Sequence, residues 1–253
     1  MAVSTPRRLA WTGLIIVAVV ALAFGADAAL RTYAEKRMES EIRQALPAGV
    51  TAPGLTVNVR GFSFLAQYLA GRFEEVDVDA PNITTARGSV QASLVAGDVH
   101  IDRSFRVPPV LGTVQGTLHV SEESVNSLVS LPDPTAAIQL SDKTVSYSAT
   151  TQVLGLPITY SAAVRPVADG ALIRLYPQSV NVTSGPVHFD VKSLLGDIFN
   201  GKPINVCIAP YIPQGLKVDD IAVAKSKATI DFHANDFSLD PKTFQTHSAC
   251  PSS

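Results

Sequence analysis

The sequence predicts an α+β fold, in which a long N-terminal helix is followed by an antiparallel β-sheet with short accessory helices. Two observations predict it. Residues 30–46 place apolar side chains at helical spacing, with charged residues on the other faces. Beyond residue 50, about a dozen short stretches alternate apolar and polar residues, and turn signals rich in Gly, Pro and Asp separate them. Such alternation is typical of an antiparallel meander rather than of a parallel, doubly wound sheet.

Composition excludes several classes of protein. The chain has 253 residues, of which 46% are hydrophobic and 17% charged, so it is too apolar for a disordered tail. Its 20 Lys and Arg residues against 22 Asp and Glu residues provide no basic field for a nucleic-acid backbone. We therefore expect no nucleic acid as a partner.

The N-terminus carries a targeting signal. Arg7 and Arg8 precede residues 9–26, which contain no charged side chain. This length fits either a membrane anchor or a signal peptide that is cleaved at the Ala-Asp-Ala sequence of residues 26–28, and the two alternatives stay open. Because the two arginines stay inside, both place the body on the periplasmic side of the cell envelope. We assign residues 1–29 to this segment.

The two cysteines fit an exported protein. In an oxidising compartment, Cys207 and Cys250 are expected to form a disulfide, since neither has partners at the spacing of a metal or catalytic site. Two free thiols are the less favoured alternative.

The remaining chain is expected to form one domain over residues 30–245, with a tail at 246–253. Short helices are predicted within residues 61–71, 121–129 and 190–199. The order of strand, short helix and long strands occurs twice, which suggests an internal duplication with a boundary near residue 115.

No catalytic constellation is evident. The five histidines lie singly, without the spacing that gathers imidazoles on one metal. Residues 196–202 match the spacing of a phosphate-binding loop, but Pro203 stands where a hydroxyl is required. We expect no enzyme activity, no cofactor and no metal.

Several short motifs resemble a known family. They are Gly-Phe-Ser-Phe-Leu at residues 61–65, Leu-Ala-Gly-Arg-Phe-Glu-Glu-Val at 69–76 and Ile-Pro-Gln-Gly-Leu-Lys-Val at 212–218, behind the Arg-Arg and apolar N-terminus. Together they resemble the LmeA-like phospholipid-binding family of actinobacterial cell-envelope proteins, over roughly residues 7–239. Ser63 stands where that family would be expected to have proline.

This resemblance implies phospholipid binding outside the cytoplasmic membrane and a role in maintaining lipid-linked mannan or other envelope lipoglycans. It also implies a fold similar to the tubular lipid-binding proteins, in which a strongly curved antiparallel sheet wraps a long helix around a cavity for acyl chains.

The first functional hypothesis is therefore a lipid-binding or lipid-transfer protein. Strand residues would line the cavity, the apolar segment at 61–71 would gate its mouth or enter the membrane, and two arginines would meet the phosphate head group. The lipid-binding candidates are Val57, Val59, Phe62, Phe64, Leu65, Tyr68, Leu69, Leu94, Leu118, Val120 and Tyr147, and the head-group candidates are Arg60 and Arg72.

The alternative hypothesis is a structural scaffold that holds an envelope glycosyltransferase near the membrane and binds no lipid. In that case the apolar strand residues would pack solidly and leave no cavity.

Overall fold

The architecture is taken from a computed structural model of the 253-residue chain. It describes residues 5–102, 104, 106–129, 135–153, 156–184, 187–190 and 202–250. The side chains of residues 5–20, 153, 156, 184 and 187–190 lie outside this description.

The described chain is mostly strand. Its helices are α1 (Thr5–Ala45), α2 (Phe64–Ala70), α3 (Glu122–Leu128) and α4 (Pro241–Gln245), with a 3-10 turn at Ala209–Tyr211. Its strands are β1 (Thr56–Val59), β2 (Arg72–Thr85), β3 (Gly88–His100), β4 (Val110–Ser121), β5 (Ala137–Ser141), β6 (Thr144–Val153), β7 (Leu156–Asp169), β8 (Leu172–Ser184), β9 (Val187–Asp190), β10 (Ile204–Cys207), β11 (Lys217–Ala224) and β12 (Lys227–Ser238).

The strands form two antiparallel six-stranded sheets. The first has the order β1-β2-β3-β4-β12-β11, and the second has the order β10-β8-β7-β6-β5, with β9 paired to β8. Across the first sheet, Arg72, His100, Val110 and Ser238 are successive neighbours at the ends of four strands. We call this end of the first sheet the α2 end, because α2 immediately precedes Arg72.

The second sheet meets the first along β11. The backbone N–H of Lys143, in the turn between β5 and β6, donates to the carbonyl of Val223 at 2.8 Å. Gly170, in the turn between β7 and β8, exchanges two backbone hydrogen bonds with Val218, at 3.0 and 3.2 Å. The hairpin turns of the second sheet therefore provide β11 with a neighbour on its outer side.

Helix α1 packs on the first sheet through one row of side chains four residues apart. Ala34 and Met38 contact the core around Val59, while Ile42 and Leu46 contact a second cluster around Leu55. This row is the apolar face that the spacing of residues 30–46 predicts.

The α+β class, the long N-terminal helix and the antiparallel strands are as predicted, and α2 and α3 lie within two of the three predicted short helices. The third, at 190–199, falls almost wholly on residues outside the description. The strands differ from the expectation in dividing between two sheets, and Leu118 and Val120 belong to the first sheet while Tyr147 belongs to the second.

Within the described part of the chain, no helix combines the length and the apolar character needed to cross a membrane. Most of the predicted segment at 9–26 lies on residues whose side chains are outside that part.

Candidate functional site

Helix α1 lies along the free edge of β1, where a row of its polar side chains bonds to residues 55–63. The members of this row are four residues apart on the helix, and their partners are two residues apart on the chain. Because four helical residues rise about 6 Å and two strand residues about 6.6 Å, the two repeats stay nearly in step. We call these contacts the edge ladder; its helix residues are Asp27, Arg31, Glu35, Glu39 and Arg43, and their partners are Ser63, Gly61, Val59, Val57 and Leu55.

The middle of the edge ladder satisfies the β1 groups that face away from β2. The carboxylate of Glu35 accepts from the backbone N–H of Val59 at 2.8 Å, and that of Glu39 accepts from the backbone N–H of Val57 at 3.4 Å. Side chains of α1 thus take the place of a neighbouring strand, which removes an open edge that would otherwise template aggregation.

Glu39 is the buried carboxylate of this row, with 4% of the residue exposed. Its oxygens accept from Lys36 at 3.1 and 3.2 Å and from the backbone N–H of Val57 at 3.4 Å, and Arg43 lies 3.5 Å away. Burial opposes ionisation, but the hydrogen bonds and the two positive charges outweigh it and hold the pKa of Glu39 below its ordinary value. Glu39 is therefore a buried anion kept ionised by its partners.

Asp27 ties α1 to the start of α2. Its carboxylate accepts from the backbone N–H groups of Leu65 at 2.8 Å and Phe64 at 3.0 Å, and from the hydroxyl of Ser63 at 2.7 Å. These donors, that of Leu65 first, lower the pKa of Asp27. Arg31 adds a hydrogen bond to the carbonyl of Gly61 at 2.9 Å. Hydrogen bonds from Asp27 and Arg31 of α1 thus fix the position of α2.

Local sequence defines the ends of α2. Ser63 caps its N-terminus by accepting from the N–H of Ala66 at 3.1 Å, and Gly71 ends it with a left-handed φ of 70°. The buried side chain of Gln67 donates to the carbonyl of Arg60 at 2.9 Å and accepts from the N–H of Glu74 at 2.7 Å. These bonds hold the helix against the start of β2.

An apolar cavity of about 560 Å³ lies between α1 and the first sheet. Its walls come from α1, from the inner faces of β1 to β4 and β12, and from the segments around Pro213 and Phe244. Of the 21 residues that line it, Glu41 is the single charged one. The volume falls within the roughly 300–1,000 Å³ typical of small-molecule sites, and the lining selects for hydrocarbon.

Two irregular positions keep the cavity lining apolar near the α2 end. Asp98 on β3 and Asp236 on β12 have left-handed backbones, with φ of 53° and 50°. At Asp98 the two-residue alternation is reset, so that Ala96 and Val99 both line the cavity although they are three residues apart. Because of this change in alternation, apolar side chains face the cavity up to the end of β3.

The cavity reaches the α2 end, where two segments flank it. On one side the ring of Phe64, in α2, packs on Phe73 with centroids 5.5 Å apart. On the other side Phe244, in α4, meets Phe237 with centroids 5.6 Å apart. Leu239 and Phe244 both line the cavity and are exposed, so they lie at its rim.

A disulfide fixes the C-terminal side of this rim. Cys207 at the end of β10 is bonded to Cys250, with Cα atoms 5.9 Å apart, as predicted. The bridge closes a loop of 43 residues that includes β11, β12 and α4. On the chain-entropy estimate it contributes about 3–4 kcal/mol to stability.

Eight of the eleven predicted lipid-binding residues lie in or near the cavity or α2, and they divide into three groups. Val57, Val59 and Leu94 line the cavity. Phe64 and Tyr68 belong to the adjoining core. Phe62, Leu65 and Leu69 are exposed. The lipid-binding role of these eight residues stays a prediction.

Three other candidates lie away from the cavity. Leu118 and Val120 are half-buried on β4, further from the α2 end than the cavity-lining Val114. Tyr147 lies on β6 of the second sheet, where its ring meets that of Tyr160 with centroids 6.2 Å apart.

Both head-group candidates hold an aspartate. Arg60 donates to Asp77 at 2.7 Å, and this bond raises its pKa further, while Arg72 is paired with Asp98. Asp77 alternates with Val76 and Val78, which line the cavity, so the Arg60 pair lies on the opposite face of the sheet. Each arginine would have to release its aspartate to bind phosphate, and this role stays a prediction.

Sequence reasoning missed the edge ladder and much of the C-terminal wall. The sequence predicts that the charged residues of α1 lie on faces other than the apolar one, but it assigns them no partner, whereas their spacing of four residues was the signal of a contact row. The wall residues from the C-terminal part of the chain gave no local signal. Phe232 and Phe237 reach the cavity because β12 pairs with β4, and the other wall residues adjoin β11 and β12; they are Leu216, Leu239 and Phe244.

Two of the histidines in the described part of the chain are hydrogen-bonded to a neighbouring strand residue. His233 is bonded to Asp219 at 2.6 Å, and His119 to Thr229 at 3.0 Å. Among the residues that the structure describes, no three His, Cys, Asp or Glu side chains are placed to hold a metal ion. The apolar cavity is a candidate site for an apolar ligand.

A cavity of this size and lining, between a helix and a sheet, is typical of proteins that bind an apolar ligand. A family model described as LmeA-like phospholipid-binding matches residues 25–232, and the chain belongs to this family. The match begins just before the edge ladder and ends within β12, so it includes most of the cavity wall. Neither a curated protein nor a solved structure matches the chain.

Proposed function

We propose that this protein binds a phospholipid outside the cytoplasm and transfers it within the cell envelope. An acyl chain of the lipid would lie in the cavity between α1 and the first sheet. The observation that carries the proposal is the cavity, whose lining contains one charged residue, Glu41, at the α1 side. Membership of a phospholipid-binding family supports the same ligand class.

Energetics favour an acyl chain in this space. Transfer of hydrocarbon from water into an apolar site gains about 0.8 kcal/mol for each methylene buried. Val76, Leu94 and Phe237 face the cavity from different strands and present no polar atom that would need a partner. A chain of several methylenes would therefore bind without any specific hydrogen bond.

The overall form proposed is that of the tubular lipid-binding proteins, with the first sheet curled around α1. Support comes from α1, which packs on the inner face through Met38 and Ile42 while its polar row follows the edge of β1. The scaffold alternative, with a glycosyltransferase as partner, would call for a solid core, and the cavity weighs against it.

We place the body on the outer face of the cytoplasmic membrane. The uncharged residues 9–26 behind Arg7 and Arg8 support export, and the Cys207–Cys250 bridge is typical of an oxidising compartment. Intact mass and alkaline phosphatase fusions at residue 46 test this topology. The phosphatase becomes active only after export, where its own disulfides can form, so an inactive fusion would contradict the topology.

Of the two targeting alternatives, we propose the retained anchor. Cleavage after Ala28 would remove Asp27, the acceptor for Ser63, Phe64 and Leu65 at the start of α2. The expected intact mass of the envelope-bound protein includes residues 1–28. A mass that begins at residue 29 would favour the cleaved signal.

Lipid retention tests the central function. The full chain is extracted from membranes in a mild detergent whose mass spectrum does not overlap with that of phospholipids. Its bound lipid is then measured by mass spectrometry. Uptake of a fluorescent phospholipid is measured in parallel. We expect about one phospholipid per chain to be retained. A protein that carries no lipid and takes up none would contradict the proposal.

The cellular role that we propose is maintenance of lipoglycan or mannan in the envelope, on the basis of family membership. A strain that lacks the gene should show altered lipoglycan, and wild-type protein should restore it. Equal restoration by a variant with a blocked cavity, such as Leu94→Trp, would separate this role from lipid binding.

A further inference from the structure

The exposed apolar side chains of the first sheet concentrate at the α2 end. Phe62 and Leu69, on the α2 side, are 82% and 57% exposed, and Leu65 lies between them. Leu239 and Phe244, on the α4 side, are 39% and 48% exposed. Exposed apolar groups scattered singly are ordinary, but a set gathered at one end of a fold marks an interaction surface.

Strand register shows that these residues share one end. Leu69 lies three residues before Arg72, and Leu239 directly follows Ser238. Arg72 pairs with His100, His100 with Val110, and Val110 with Ser238, so these residues form one row across four strands. Backbone hydrogen bonds confirm the adjacency, from Ile101 to Gly71 at 3.0 Å and from Leu239 to Pro109 at 2.9 Å.

This end is also where the cavity reaches the surface. Leu239 and Phe244 line the cavity and are partly exposed, while Phe64, on the inner side of α2, packs on the cavity residue Phe73. The exposed side chains of α2 and α4 therefore flank the cavity mouth on two sides.

The N-terminal part of α1 projects from the same end. Along the edge ladder, Arg43 lies at Leu55 and Asp27 at Ser63, so residues before Asp27 extend past α2. Phe24 contacts Phe62 with ring centroids 6.0 Å apart and planes nearly perpendicular. The uncharged residues 9–26 thus continue directly from the exposed surface of α2.

We infer that the α2 end rests on the surface of a lipid bilayer, with Phe62, Leu65 and Leu69 on one side of the cavity mouth and Leu239 and Phe244 on the other. This inference rests on the proposed function and adds the place of contact. The occupant is a bilayer because the apolar surface is continuous with an uncharged helical segment long enough to enter one. A lipid could then pass between membrane and cavity without crossing water.

Depth-dependent quenching tests the contact. A bimane fluorophore is placed on the full chain at Leu69→Cys, Phe244→Cys or Ala86→Cys, with the native cysteines protected in their disulfide. Ala86 is exposed in the turn between β2 and β3, at the opposite end of the first sheet, and serves as the control. The labelled proteins are reconstituted in vesicles of phosphatidylethanolamine and phosphatidylglycerol with brominated acyl chains.

We expect several-fold stronger quenching at positions 69 and 244 than at position 86. Quenching at neither position, or at only one of the two, would overturn the inference. Bound lipid is measured on the same samples. A protein that carries lipid but shows no quenching would disprove the membrane contact alone. A protein that shows quenching but carries no lipid would disprove the proposed function alone.

Transfer kinetics give a second readout. Replacing Leu65 and Leu69 together by Asp, two exposed positions of α2 outside the cavity lining, should slow uptake of fluorescent phospholipid from vesicles several-fold. Ile204→Asp, at an exposed position on the second sheet, is the matched control. An unchanged uptake rate in the double variant would overturn the inference.

Discussion

The carboxylate of Glu35 accepts a hydrogen bond at 2.8 Å from the backbone N–H of Val59, on the edge of β1 that faces α1. Four residues further along the helix, Glu39 does the same for Val57. A helix can follow a strand edge in this way because its four-residue rise nearly equals a two-residue strand step. The edge ladder holds one wall of the cavity in place without filling the cavity.

Replacing Glu39 by Gln should destabilise the fold. The substitution removes a buried charge on which Lys36 and Arg43 converge and weakens the bond to Val57. We expect a loss of about 1–3 kcal/mol in the free energy of unfolding, measured by urea denaturation.

Glu41→Gln is the matched control on the same helix. Glu41 is mostly exposed and pairs with the exposed Arg37 at 2.8 Å. Its loss should change stability by less than about 0.5 kcal/mol. Equal effects of the two substitutions would contradict the structural role assigned to Glu39.

Stability should fall in acid. The pKa of Glu39 is lowered from an ordinary 4.5, so the unfolded chain binds a proton at a higher pH than the folded chain does. The contribution of Glu39 is present above about pH 4.5 and is lost as the pH falls through the folded value. Urea midpoints measured from pH 7 downwards should decline more steeply in the wild type than in Glu39→Gln. Parallel declines would show that Glu39 has the same pKa in both states.

Replacing Asp27 by Ala should loosen α2. The N–H groups of Phe64 and Leu65 lose their acceptor, although Ser63 still caps Ala66. We expect several-fold faster amide hydrogen exchange within α2 and unchanged exchange in β12. Uniform acceleration in both elements would indicate global destabilisation instead.

Breaking the disulfide by Cys250→Ser should destabilise the C-terminal side of the cavity. The chain-entropy estimate gives a loss of about 3–4 kcal/mol. Hydrogen exchange should rise first in β11, β12 and α4, the elements within the closed loop. Exchange that rises equally in β2 would contradict a local role.

Filling the cavity should block lipid uptake. Leu94 lines the cavity, whereas Val95, the next residue on β3, is exposed on the opposite face. Leu94→Trp should reduce uptake of fluorescent phospholipid several-fold, and Val95→Trp should leave it unchanged. Comparison of the two variants separates loss of cavity volume from a general effect of the bulky ring on β3. Equal uptake by the two variants would contradict the role of the cavity.

The fold was predictable where local pattern and packing agree. The two-residue alternation of β2 to β4 and the short helix within residues 121–129 followed from neighbouring residues, and the family motifs were recognisable by their order. The division into two sheets was not, because alternation identifies strands and does not reveal which strands pair.

The site was predictable in part for the same reason. Val57, Val59 and Leu94 line the cavity because they alternate inwards, but the reset at Asp98 depends on a left-handed residue that sequence alone does not show. Arg60 and Arg72 were chosen by proximity along the chain, whereas pairing between strands places each beside an aspartate.

The most direct test of the account is a crystal structure of the protein with a phospholipid that is brominated on one acyl chain. The anomalous signal of bromine locates the chain without reference to the fold. We predict peaks between α1 and the first sheet, in contact with Val76, Leu94 and Phe237. Bromine bound only on the outer surface of the sheets, with the cavity filled by side chains, would contradict it.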